Sequence, residues 1–143
     1  MTTYADMETE RRSTLYREMA ESYRAMMSTP NLVFVFGSNR KGIHGGGAAK
    51  TAFDLYGAVW GQGEGLQGRS YAIPTKITPG QRFHTFHPVR EHVERFLDYA
   101  RSQPDTQFWV TRVGTGLAGW SEEDMMPLFA NAPYNCILPE NWR

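Results

Sequence analysis

The chain has 143 residues, 41 % of them hydrophobic, and carries 15 basic and 15 acidic side chains, so its formal net charge is zero. That length suits a single buried core, and the neutral balance argues against general nucleic-acid binding and against an anionic membrane surface as partner. One cysteine, Cys136, excludes an internal disulfide and a cysteine-built metal site, which fits a reducing, cytoplasmic setting.

The opening stretch "MTTYADMETERR" has charges of both signs where a signal peptide needs an apolar core, so no targeting or membrane-spanning segment is expected. In "DMETERRSTLYREMAESYRAMM" the residues Leu15, Met19, Tyr23 and Met26 recur at three- and four-residue spacing. The pattern predicts a polar helix with one narrow apolar stripe. Residues 1–30 are therefore expected to form a helical extension that docks on something or on a twin, a route to a homo-oligomer. The core domain is expected at residues 31–143.

That core opens with the apolar run "NLVFVF", a predicted strand at residues 32–37, followed directly by "GSNRKGIHGGGAAK" and an alanine-rich helix. Glycines between a strand end and a helix start let backbone N–H groups approach a phosphate, because no Cβ intervenes and the helix dipole favours negative charge. The segment fits neither G-x-x-x-x-G-K-[ST] nor a properly spaced G-x-G-x-x-G. On composition, a phosphate loop and a plain glycine turn stand level. The candidate contacts are Gly37, Ser38, Asn39, His44, Gly45, Gly46 and Gly47. His44 suits a phosphate or hydroxyl contact, an acid–base role, or an ordinary exposed turn.

Further strands are predicted at "GAVW" (57–60) and "SYAIPT" (70–75), joined by "GQGEGLQGR", a hairpin-like connection in which Gln62 and Glu64 either touch a ligand or only shape the turn. Arg82, beside Phe83 and Phe86, suits stacking on a base, pairing with a diphosphate, or plain packing. His84 and His87 lack a third ligand at readable spacing, so no metal is expected. In "HPVREHVERFLDYARSQ" the set Val89, Val93, Phe96, Leu97 and Ala100 is helical, with Pro88 in the first turn and Pro104 beyond the end. "QFWVTRV" (107–113) predicts a strand. It runs into a second glycine loop, Gly114, Thr115, Gly116 and Leu117, and then into "WSEEDMMPLFA". There Ser121 and Asp124 are spaced as a capping box, and Pro127 keeps the helix short. "NCILP" (135–139) closes the series. Strands alternating with helices, several apolar on both faces, give an α/β class with helices on both sides of the sheet. Ligands of such sheets gather beyond the carboxyl ends of strands, so the two glycine loops together suit the two phosphates of a diphosphate.

The order "FVFGSN", "HGGGAA", "SYAIPTK", "VGTGLAG" and "ILP" resembles the macrodomain superfamily, over residues 31–139. Within it, the chain is most similar to small bacterial and phage-type members and to the terminal ADP-ribose glycohydrolases. The resemblance implies a three-layer α/β/α fold around a mixed sheet of about five or six strands. It implies as ligand ADP-ribose, a related NAD-derived nucleotide or an ADP-ribosylated target, with hydrolysis of the ADP-ribosyl linkage in some members and no cofactor. Carried over by position, Asn39 approaches the ribose distal to adenine, and Gly45, Gly46 and Gly47 wrap that ribose and its phosphate. Gly114, Thr115, Gly116 and Leu117 hold the diphosphate by backbone amides. Lys76 falls where the glycohydrolases have a lysine that attacks the ribose; the residue alone also reads as a solvated lysine or a phosphate-pairing cation. Two positions depart from the pattern. Ala118 occupies the slot of the branch's acidic residue, and "AMMSTP" precedes the first strand where the family carries an adenine-binding aspartate. The chain is accordingly expected to be either an ADP-ribosyl hydrolase or a binding protein that reads or sequesters such a nucleotide.

Overall fold

In the computed structural model residues 3–143 are described, and they divide into two compact units, one ending at Pro30 and the other spanning Asn31–Arg143. The first unit is one helix, α1 (Tyr4–Ser28). Thr3 starts it through a reciprocal capping box: its hydroxyl accepts from the Asp6 N–H at 3.1 Å, and the Asp6 carboxylate accepts from the Thr3 N–H at 3.1 Å. Of the apolar stripe, Leu15, Met19 and Tyr23 are exposed, whereas Met26 is buried.

The second unit is an α/β fold on a mixed five-stranded sheet. Its elements in chain order are β1 (Val33–Asn39), α2 (Gly47–Leu55), β2 (Gly65–Gln67), β3 (Ser70–Lys76), α3 (His87–Ser102), β4 (Phe108–Val110), α4 (Glu122–Met125) and β5 (Cys136–Ile137). A 3₁₀ turn, Met126–Phe129, extends α4, where Pro127 supplies no N–H to continue an α-helical ladder. The strands lie in the order β2-β3-β1-β4-β5; all are parallel except β2, which pairs antiparallel with β3 at one edge.

Alternation along the strands sorts the core onto two faces. Val33 and Val35 of β1, Tyr71 and Ile73 of β3, and Phe108 and Val110 of β4 cluster with Val89, Val93, Phe96, Leu97 and Ala100 of α3. Phe96 is fully buried, and its truncation to alanine in such a setting costs about 3–5 kcal/mol. On the opposite face Phe34 meets Tyr56 at 4.9 Å between ring centroids, Phe36 meets His44 at 5.4 Å, and Ala49 and Ala52 of α2 are buried. The helix expected from "HPVREHVERFLDYARSQ" therefore forms, with Pro88 in its first turn. Among the described residues, no helix is long and apolar enough to cross a membrane.

The strand expected at residues 57–60 does not form. Gly57 turns the chain there at φ +77°, and the Tyr56 carbonyl accepts from the Arg69 N–H and the Ser70 hydroxyl. The backbone of Val59 pairs with no neighbouring strand: its N–H donates to Gln67 Oε1 at 2.7 Å, and its carbonyl accepts from His44 and from the Gln62 N–H. The edge strand is "GLQ", inside the stretch expected to be only a connection, and Gln62 Nε2 seals it by donating to the Leu66 carbonyl. β4 and β5 are shorter than the runs 107–113 and 135–139 from which they were expected.

Candidate functional site at two glycine loops

From β1 the chain passes through α2 and β2 to β3 on one side of β1, and then through α3 to β4 on the other. The segments leaving the carboxyl ends of β1 and β4 thus depart in opposite directions, and between them lies a topological switch point. The first glycine loop follows β1 and the second follows β4. They meet: a Cβ added at Gly37 would stand 3.2 Å from the Gly114 N, and one at Gly46 would stand 2.9 Å from Leu117 Cδ1. Leu117 is itself 72 % exposed and its side chain reaches toward Gly46 and Gly47.

Each loop is shaped by its own hydrogen bonds. The Asn39 amide clamps the first, donating from Nδ2 to the Ile43 carbonyl at 2.9 Å and accepting from the Ile43 N–H at 3.1 Å. Ser38 is buried and its hydroxyl donates to the Gly63 carbonyl. Gly63 has no room for a side chain, since a Cβ would stand 2.4 Å from the Asn39 carbonyl oxygen. The second loop turns at Gly114, whose φ of +82° suits glycine and where a Cβ would stand 2.9 Å from the Met125 sulfur. Thr115 donates from its N–H and its hydroxyl to the Arg112 carbonyl. The N–H groups of Gly45, Gly46, Gly47, Gly116 and Leu117 have no hydrogen-bond partner among the described residues. Those of Gly45 to Gly47 open α2, where the helix dipole adds positive character and no side chain caps the end.

His44 is 1 % exposed rather than a solvent-exposed turn residue. Its Nε2 lies 2.9 Å from the Val59 carbonyl. A carbonyl only accepts, so Nε2 carries the proton, and in the neutral ring Nδ1 is an acceptor. That Nδ1 is buried without a hydrogen-bond partner. Lys76 ends β3 with its Cα opposite Asn39, and its Nζ donates to the Pro79 carbonyl at 3.0 Å. Ala118 is buried.

The polar side chains around the two loops are engaged with other partners. Glu122 pairs with Arg112 and accepts from the Trp142 indole N–H, tying the chain end to the second loop's strand. Ser121 caps α4 by accepting from the Asp124 N–H at 3.1 Å. Glu64 lies 2.6 Å from His92 Nδ1 and accepts from Arg95 Nε at 3.1 Å, joining the β2 hairpin to α3. His87 pairs with Glu91 along α3. No group of three or more His, Cys, Asp or Glu side chains arranged to hold a metal occurs among the described residues.

The edge of the sheet that carries the loops also gathers cations: Arg40 and Lys41 after β1, Lys76 at the end of β3, and Arg82 beyond it. Arg40 was not among the expected contacts: the strand was expected to end at residue 37, and the structure extends it to Asn39, one residue before Arg40. A groove of about 550 Å³ lies elsewhere, between α3 and the α4 segment; its lining includes Arg90, Glu94, Asp98, Glu123 and Asp124 and no residue of either glycine loop. Comparison of the chain with protein-family models, with curated proteins and with solved structures returns no match.

Proposed function

We propose that the core unit binds ADP-ribose or a related NAD-derived nucleotide, with the diphosphate held between the two glycine loops. The observation that carries this reading is the meeting of those loops at the β1/β4 switch point with five backbone N–H groups left uncommitted. Uncommitted amides at a helix start are an anion site in waiting, and the cations at that edge add the matching charge. The resemblance of the two loops and of "SYAIPTK" to macrodomains supplies the ligand class. A three-layer α/β/α macrodomain is part of the same proposal, supported by α3 packing one sheet face and the α2 segment the other. A cytoplasmic setting belongs to it too, supported by the single free thiol of Cys136.

Binding without turnover is the form we favour. Ala118 brings no carboxylate to the loop, and the Lys76 amine is turned onto the Pro79 carbonyl. Hydrolysis is the second reading, favoured by the position of Lys76 opposite Asn39.

The test is a thermal-shift series with ADP-ribose, AMP and NAD, followed by mass spectrometry of nucleotides released from the denatured protein. A ligand at one hundred times its Kd stabilises by about 2.7 kcal/mol, which raises the Tm of a domain this size by several degrees. No shift with millimolar ADP-ribose or AMP overturns the proposal.

A further inference from the structure

Three arginines of the core unit pair with acids: Arg95 with Glu64, Arg101 with Asp98 and Arg112 with Glu122. Arg40 and Arg82 do not; neither forms an ion pair or a side-chain hydrogen bond among the described residues. Both instead lie over aromatic rings. The Arg40 guanidinium carbon is 4.7 Å from the centroid of Phe83, and that of Arg82 is 4.6 Å from the centroid of Trp120.

The two rings are held by packing and hydrogen bonds. Phe83 is buried and stacks on the His92 ring at 6.1 Å. Trp120 is pinned from two sides, its backbone N–H donating to the Gly114 carbonyl at 2.9 Å and its indole N–H to the Thr75 carbonyl at 2.8 Å. Phe86 closes on it edge to face at 5.1 Å. The second glycine loop runs directly beneath Arg82, since a Cβ on Gly119 would stand 3.9 Å from the guanidinium carbon. Arg40 follows the first loop's strand, and its N–H donates to the Lys76 carbonyl at 3.0 Å. A guanidinium carbon held over a ring face, with no acid or carbonyl taking its N–H donors, leaves the guanidinium fork free to match two oxygens of one phosphate. Held there before a ligand arrives, it loses less side-chain freedom on binding.

We propose that Arg40 and Arg82 are the anion-pairing side chains of this site, presenting two pre-positioned guanidinium forks to the two phosphates of a diphosphate ligand. This rests on the nucleotide reading of the glycine loops, but its chemistry requires only a diphosphate. A surface arginine that merely covers a ring would leave anion affinity unchanged when replaced.

The test is isothermal titration of the full chain at low salt with inorganic pyrophosphate and, separately, with ADP-ribose. Arg40→Gln and Arg82→Gln are each expected to weaken pyrophosphate binding by about 10- to 100-fold, with the Tm nearly unchanged, and the double variant is expected to abolish it. Arg82→Lys keeps the charge without the fork and should fall between. Pyrophosphate binding that needs the arginines, without ADP-ribose binding, supports the clamp and overturns the nucleotide reading. ADP-ribose and pyrophosphate bound equally by wild type and double variant overturns the clamp alone. A wild-type chain that binds neither overturns both.

Discussion

Leu117 lies against Gly46 across the gap between the two glycine loops, with its Cδ1 2.9 Å from where a Gly46 Cβ would stand. Gly46 itself has extended backbone, φ −157°, so a side chain there is opposed only by the tip of its neighbour and not by conformation. Gly46→Val should push Leu117 aside, because the leucine is exposed and its tip can turn. The stability cost is expected to be about 1 kcal/mol, mostly the loss of a good N-cap residue. The ADP-ribose thermal shift, in contrast, should disappear. An undiminished shift in Gly46→Val would remove the first loop from the site.

Lys76 offers its amine to Pro79 and faces no carboxylate from position 118. Incubation with an ADP-ribosylated substrate and borohydride is therefore expected to leave no adduct on the wild-type chain by mass spectrometry. An adduct that forms on wild type and is missing from Lys76→Ala would replace the binding reading with the hydrolytic one.

Glu64 joins an edge hairpin to α3 through His92 and Arg95. Glu64→Gln keeps the shape but withdraws the charge that both partners face. Leaving polar partners imperfectly paired typically costs about 1–3 kcal/mol, and a urea melt should show it as a lower midpoint at unchanged m-value. A midpoint equal to wild type would mean that the cluster is solvated well enough to be neutral.

Stability should fall on the alkaline side. Burial pushes the Tyr71 phenol up to about 12 from 10.0, with the nearby Glu64 charge adding to it, and pushes the Cys136 thiol up to about 11 from 9.0. Both groups keep their protons in the fold at pH values where the unfolded chain has released them. Their contribution is complete below pH 9 and is lost as the pH rises from there to about 12. Each two-unit shift corresponds to about 2–3 kcal/mol. Urea midpoints between pH 8 and 11 should decline, and Tyr71→Phe should flatten the decline above pH 10. A wild-type profile that is level to pH 11 contradicts the burial of these groups.

The α1 stripe exposes Leu15, Met19 and Tyr23. If the helix serves self-association, a chain starting at Asn31 should have the monomer mass by light scattering while the full chain has a multiple of it. Equal oligomeric order in the two would assign the stripe another role.

The long helices and the two central strands were legible because each carries its own local signal: the helical period from Val89 to Ala100 in α3, and the unbroken apolar run from Val33 in β1. The failures are all long-range. "GAVW" reads as a strand by composition, but Gln67 and His44 take up the Val59 backbone groups, and neither is a sequence neighbour. "GLQ" has little strand propensity and becomes one because β3 lies beside it. Glu64 gave no sign of its tie to His92, 28 residues away. At the site, glycine spacing showed where loops would be; it did not show that Asn39 would close one of them on Ile43, or that His44 would be buried.

The uncommitted amides of Gly45 to Gly47, Gly116 and Leu117 have one more consequence. In a fold where most backbone N–H groups are locked in ladders, these are expected to exchange with solvent deuterium at nearly the rate of an open chain. An occupant that engages them would slow that exchange at Gly45 to Gly47 and at Gly116 and Leu117. A ligand held there as proposed would therefore be reported by these amides without a label and without turnover.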